Sequence, residues 1–295
     1  MPPNEDPGNE DTGNEDTGAK LAIVAGGGPM PLEIVDACRA RDRPYFVVVL
    51  DGQASVEDYG DHPHLVTRLG AAGSALKRLK DEGCSELVMA GAVTRPSLAQ
   101  LRPDVRTARF FMRSGAMAFG DDGLLTAIIK TLEHEEGLTI RGVDEVLPDI
   151  VAAPGPYGSH QPDENANRDI AVAVDAALDI GRRDLGQGAV ARDGSVLATE
   201  GSDGTDAMLA KLPSAADGAG LSGAVAKVSK PGQDRRADLP TIGLSTVEAA
   251  HRAGLAGIAV EAGGALVMQR QQMIARADAL GLFVIGIEVA KEASP

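Results

Sequence analysis

The residues able to do chemistry in this 295-residue chain gather in a few short stretches, the densest being KVSKPGQDRRADLPTIG, residues 227–243. It places Lys227, Lys230, Arg235 and Arg236 among Asp234 and Asp238, in a protein whose net charge is −15. Ammonium and guanidinium groups make charge-assisted hydrogen bonds to phosphate oxygens, and a pyrophosphate offers about two negative charges to receive them. An aspartate among such cations can hold a divalent ion or orient a water. The competing interpretation is a solvated loop whose mixed charges pair with one another. Gly and Pro punctuation without helical or strand period marks a shaped loop, and the chemistry of the residues leaves both interpretations open.

Other stretches offer complementary groups. VAGGGPMP is a glycine-rich strand-to-helix turn, in which Gly26, Gly27 and Gly28 would free backbone N–H groups at a helix N-terminus for a phosphate. Pro31 suits the first helical turn, and Asp51 at the end of the next strand could take a ribose hydroxyl. A dinucleotide fingerprint fails on spacing, because proline stands where the third glycine belongs. In AGAVTRP, Arg95 follows another strand of the same sheet and would face the same crevice, or else be a solvated loop arginine. GDDG sets Asp121 and Asp122 before a helix, one of them an N-cap and the other surplus to capping. EGSDGTDAMLAK carries Glu200, Asp203, Thr205 and Asp206; Thr205 or Asp203 would cap a short helix, leaving acids for a hard cation such as Mg²⁺. The five histidines show no ligand spacing, and Cys38 and Cys84 build neither a disulfide framework nor a zinc site.

These groups need a scaffold, and hydrophobic periodicity supplies one. Short apolar runs, Leu21 to Ala25 and Tyr45 to Leu50 first among them, alternate with helical segments, which predicts parallel sheet covered by helices. PDIVAAPGPYGSHQPD interrupts the alternation with four prolines. The expected fold is therefore two α/β domains with a ligand cleft between them: a Rossmann-like domain over 19–150, a linker over 151–163 and a mixed-sheet domain over 164–295. In the second domain Asp193-Gly194 should turn a hairpin, and Ser245 with Glu248 should form a capping box. With no Trp, five Phe and three Tyr, the core must be aliphatic. FFMRSGAMAF holds three of those phenylalanines, and Phe111, Gly115, Ala118 and Phe119 fall at helical spacing; core packing is the plain interpretation, an acyl groove or a contact between subunits of a homo-oligomer the sharper one.

Residues 1–18 repeat NEDPG/NEDTG with six acids and no base, and are expected to be a disordered tail. Without those acids the net charge is still −9, which argues against a nucleic-acid partner. Two cysteines, no basic start with an apolar h-region and no long apolar run predict a cytoplasmic protein that meets a membrane only from its surface.

GGGPMP, GAVTRP, GDDGLL, LGQGAV, GTDAML and KPGQDRRADLPTIG, in this order, resemble the LpxI-type UDP-2,3-diacylglucosamine pyrophosphatases of Gram-negative lipid A biosynthesis, from about Lys20 to about Ile287. The resemblance implies Mg²⁺-dependent hydrolysis, with Mn²⁺ an alternative ion, of a lipid-linked UDP-sugar to UMP and 2,3-diacylglucosamine 1-phosphate, with transient contact at the cytoplasmic face of the inner membrane. It puts the essential aspartate of the family on Asp238, for metal binding or water activation, and Lys227, Lys230 and Arg236 on the phosphates. Asp206, as a second metal ligand, and Asp122, Gln187 and Thr205 match other motif positions. Asp203 stands where the family often has Glu, a shorter arm for a ligand. A non-catalytic nucleotide-sugar or lipid-phosphate binding protein is the alternative function.

Overall fold

The structure, a computed structural model, describes residues 18–94, 101–114, 121–213 and 220–290. Its first unit runs β1 (Leu21–Ala25), α1 (Met30–Ala40), β2 (Tyr45–Leu50), β3 (His64–Thr67), α2 (Ala72–Asp81), β4 (Glu86–Ala90), α3 (Val105–Ser114), α4 (Asp121–Glu136) and β5 (Thr139–Arg141). All five strands are parallel, in the order β3-β2-β1-β4-β5. Because helices cover both faces, the central strands are apolar at nearly every position. Leu21, Ile23, Val47 and Val49 pack against Ile34 and Val35 of α1, while Ala22, Phe46 and Val48 pack against Leu79 of α2 and Ile129 of α4. The chain reverses its direction of travel across the sheet between β1 and β4, and a crevice opens there beyond the strands' carboxyl ends.

A short helix α5 (Val143–Val146) leads to residues 147–163, within which Gly155–Pro156 (β6) pairs antiparallel with the last strand of the second sheet. The second unit continues with α6 (Glu164–Arg182), β7 (Gly188–Arg192), β8 (Ser195–Thr199), α7 (Gly204–Ala210), β9 (Ala224–Lys227), β10 (Thr241–Ile242), α8 (Leu244–Arg252), β11 (Gly257–Glu261), β12 (Leu266–Val267), α9 (Arg270–Leu280) and β13 (Phe283–Ile287). Its six-stranded sheet is mixed, in the order β6-β13-β11-β9-β7-β8. On one face Ala166, Ala173, Ala191, Ala224, Ala226 and Ala259 let α6 sit close, the aliphatic packing that a ring-poor composition requires. On the other, Val190, Val225, Ile258 and Val260 meet the inner faces of α7, α8 and α9. Asp163 caps α6 by accepting from Ala166 N at 2.8 Å, and Asp193-Gly194 turns the β7–β8 hairpin with φ of 52° and 72°. The two-unit α/β architecture expected from periodicity is thus the observed one.

Three capping expectations are corrected. Asp121 and Asp122, expected ahead of a helix, are the first two residues of α4. Helix α8 begins at Leu244 after Gly243, whose N–H donates to the Thr246 hydroxyl at 3.3 Å, so Ser245 lies inside the first turn. Neither Asp203 nor Thr205 caps α7: Asp203 pairs with Lys211 at 2.5 Å, and the Thr205 hydroxyl donates to Glu200.

The two units are sewn together around residues 235–242. Strands β10 and β12 form a separate parallel ribbon, and Leu239 and Leu266 are buried in the core of the first unit beside Ile23 and Val49.

Candidate active site

The second sheet gathers polar side chains at the carboxyl ends of β8, β9 and β11. Lys227, the last residue of β9, pairs with Gly188 of β7 and Val260 of β11 and is 6 % exposed. Its Nζ donates to Thr241 O at 3.0 Å, and no carboxylate pairs with it among the described residues. Two residues on, Ser229 is pinned by the buried Glu261, whose Oε2 accepts from Ser229 N at 2.7 Å and from its hydroxyl at 2.5 Å. The loop that carries the lysines is therefore fixed from below. Lys230 ion-pairs with Asp184 at 2.9 Å.

A second buried carboxylate organises the neighbouring edge. Glu200 accepts from Gln187 N at 3.2 Å and from the Thr205 hydroxyl at 2.8 Å, tying the start of β7 to the start of α7. A Cβ on Gly188 would lie 2.8 Å from Glu200 Oε2, so a larger residue there would push this carboxylate aside. Gln187 reaches outward: its Nε2 donates to Asp238 Oδ2 at 3.4 Å, while its buried Oε1 has no donor among the described residues.

Asp238 is exposed, between two anchored neighbours: Ala237 packs against the cluster of Ala22 and Phe46, and Leu239 is in the cluster on the opposite face of that same sheet. The preceding arginines are consumed by the join. Arg235 donates to Asp144 at 3.0 Å and to Gly263 O at 2.5 Å; Arg236 uses Nε and Nη2 on Asp234 and Nη1 on Glu133 at 2.5 Å. The hydrogen bonds that Arg236 donates to Asp234 raise the guanidinium above its ordinary value and hold the Asp234 carboxyl below the usual carboxylate range. The mixed charges of 227–243 thus divide into paired cations, Lys230 and the two arginines, and a buried Lys227 without an acidic partner among the described residues. Arg236, expected at the phosphates, already has both its faces engaged.

On the first unit, the two small-residue turns lock together at the crevice. Gly27 and Ala92 exchange N–H···O bonds of 2.8 Å, and a Cβ on Gly26 would stand 2.7 Å from Ala92 O. Gly26, Gly27 and Gly28 line a cavity of about 330 Å³ together with Gln53, Asp58 and Tyr59. Gln53 holds Thr94 through both its backbone groups, at 2.7 and 3.4 Å. Tyr59 is 2 % exposed, and its hydroxyl has no hydrogen-bond partner among the described residues; burial first, and then Asp58, pushes its pKa up. Sequence reasoning missed Tyr59, which sits in a one-turn 3-10 segment without period. Asp51 is exposed and does not line this cavity. Arg95 and the Asp122 side chain lie outside the described residues. Asp206 is exposed in the first turn of α7, and no three acidic, His or Cys side chains among the described residues form a ready metal cluster.

The architecture and the motifs agree with comparisons to known proteins. The model of the LpxI N-terminal domain matches residues 20–150, and that of the LpxI C-terminal domain matches residues 153–285. The chain belongs to the LpxI family. It is 42 % identical over 277 residues to the UDP-2,3-diacylglucosamine pyrophosphatase LpxI of Caulobacter vibrioides, covering 91 % of this chain and 98 % of that protein. The LpxI match spans the crevice glycines, Gln187, Thr205, Lys227 and Asp238 alike. No helix among the described residues is long and apolar enough to cross a membrane.

Proposed function

We propose that this chain hydrolyses the pyrophosphate of UDP-2,3-diacylglucosamine to UMP and 2,3-diacylglucosamine 1-phosphate, the activity named in its Caulobacter vibrioides relative. The observation that carries this is the meeting, at the join of the units, of an exposed carboxylate that accepts from Gln187 and a strand ending in a buried lysine without a carboxylate partner among the described residues. A buried ammonium in that state suits an anion brought by substrate.

In the reaction, water attacks one phosphorus in line, the bond from that phosphorus to the bridging oxygen breaks, and the electron pair leaves with the second phosphate. Asp238 accepts the water's proton. Lys227 offsets charge on the phosphate oxygens, Lys230 and the Gln187 amide border them, and the Gly26–Gly28 turn with Tyr59 takes the nucleotide end. Glu200 and Glu261 hold these groups still.

Mg²⁺, or Mn²⁺, fits the donor set. A hard ion of this kind usually keeps several waters and binds through one or two carboxylates plus substrate phosphates, so the absence of a three-acid cluster among the described residues is compatible with it. Asp238 would hold it, with Asp206 as the second candidate. Bound there, the ion would neutralise developing phosphate charge. The protein works from the cytoplasm and meets the inner membrane at its surface.

UMP release from the lipid-linked substrate with and without Mg²⁺ tests the reading. Asp238→Ala should lose at least about 10³-fold in turnover, within the range for removing an acid–base group, while still binding substrate. A variant that turns over at near the wild-type rate sinks the assignment.

A further inference from the structure

Helix α3 stands out in this acidic chain. Residues 102–113 hold four arginines against one aspartate, and they carry the two most exposed large apolar side chains among the described residues, Val105 at 76 % and Met112 at 78 %. At 100° per residue Val105, Arg109 and Met112 share one face of the helix, with Arg106 and Arg113 beside them. The opposite face is firmly seated. Asp104 accepts from Thr107 N at 2.7 Å and from Gly73 N at 2.8 Å, and Ala72 N donates to the buried Thr107 hydroxyl at 3.3 Å. The seat is on the edge where substrate is expected, since Asp104 N donates to Gly70 O just beyond the carboxyl end of β3.

We propose that this face of α3 rests on an anionic lipid bilayer. Val105 and Met112 enter the boundary between headgroups and acyl chains, and the arginines extend their stems along it to reach lipid phosphates. Charge complementarity selects this occupant. Arg102 and Arg109 have no acidic partner among the described residues, and the Arg113–Glu135 pair, at 3.3 Å and exposed at both ends, exchanges readily for a phosphate. Arg106 pairs with Glu136 on α4 and keeps the helix anchored. The inference rests on the proposed function in one respect only: a diacyl substrate has to be drawn from a membrane.

The test is co-sedimentation of the full chain with vesicles of phosphatidylcholine alone and of phosphatidylcholine with phosphatidylglycerol, in low and high salt, without substrate. The protein should pellet with the anionic vesicles in low salt, and high salt should release it. The doubly substituted V105S/M112S protein, changed only at exposed positions, should lose at least about fivefold of the bound fraction, and Arg109→Glu as much. Equal binding by V105S/M112S, equal binding to neutral vesicles, or no binding of the wild type overturns the proposal. So does a size-exclusion dimer that V105S/M112S abolishes, which would give the face to a second copy. UMP release from substrate dispersed in detergent micelles is measured in parallel. Because the vesicle arm contains no substrate, it can fail while the hydrolase stands, and the hydrolase can fail while the surface stands.

Discussion

Lys227 carries a conflict between stability and activity that can be measured. Keeping an ammonium buried without a counter-charge costs several kcal/mol, whereas the Thr241 carbonyl it serves would lose about 1–3 kcal/mol if left unpaired. Lys227→Met removes the charge and keeps the volume, so the melting temperature should hold or rise. Turnover should nevertheless fall about 10- to 100-fold, the loss of one charge-assisted hydrogen bond worth about 1.5–3 kcal/mol. Thermal melts and UMP release on the same preparation read both quantities; a less stable variant with intact turnover would make Lys227 a structural residue. Residue types alone could name Lys227 and Asp238 but not rank the four cations, and the resemblance put Arg236 with the lysines on the phosphates. Arg235 and Arg236 look equally fit for phosphate until Asp144, Asp234 and Glu133 are found on them, two of those acids about a hundred positions away.

Among the elements, the junction of β7, β8 and α7 depends on one buried carboxylate. Glu200→Ala should leave Gln187 N and the Thr205 hydroxyl without an acceptor, a cost of about 1–3 kcal/mol for each buried group, and should lower kcat more than it raises KM, because Gln187 then no longer steadies Asp238. Glu200→Gln keeps one acceptor oxygen and should restore much of both; an alanine variant with unchanged kcat would deny Glu200 its positioning role. The crevice turn is as tightly constrained. Gly91 has φ of 90°, and a Cβ there would meet Gly27 O at 2.6 Å, so Gly91→Ala should lose about 1–3 kcal/mol in urea unfolding and loosen the Gly26–Gly28 turn. The buried strands and the helices were legible, because apolar runs and helical periods follow burial; β3, only half buried, and the two- and three-residue strands carry no such run. The caps were not: cap rules consult neighbours three residues away, and the hydroxyl of Thr205 and carboxylate of Asp203 had partners, Glu200 and Lys211, outside that window. Nothing local marked Tyr59 either, since its place in the cavity is set by the packing of its turn against β2.

For the whole molecule the question is what makes two units behave as one. Leu239 and Leu266 from the second unit are buried in the core of the first, and Arg235 and Arg236 add ion pairs to Asp144 and Glu133 across the same join. Asp234 belongs to this set without leaving its own loop, because it holds the Arg236 guanidinium in the orientation that reaches Glu133. Its carboxyl is held below the usual range by those hydrogen bonds, so the folded protein binds fewer protons at this position than the unfolded chain does. Stability from Asp234 is therefore complete above the unfolded value of about 4 and drains away as pH falls through the depressed folded value. Asp234→Asn should be less stable than wild type at neutral pH, and the gap should close as pH is lowered from about 4 toward 2. Urea midpoints of the two proteins across that range decide the matter. Curves that stay parallel would mean that Asp234 gains nothing from its arginine. Curves that converge would make Asp234 part of an ion-pair clamp between the units, set between Lys227 and Asp238 in the sequence.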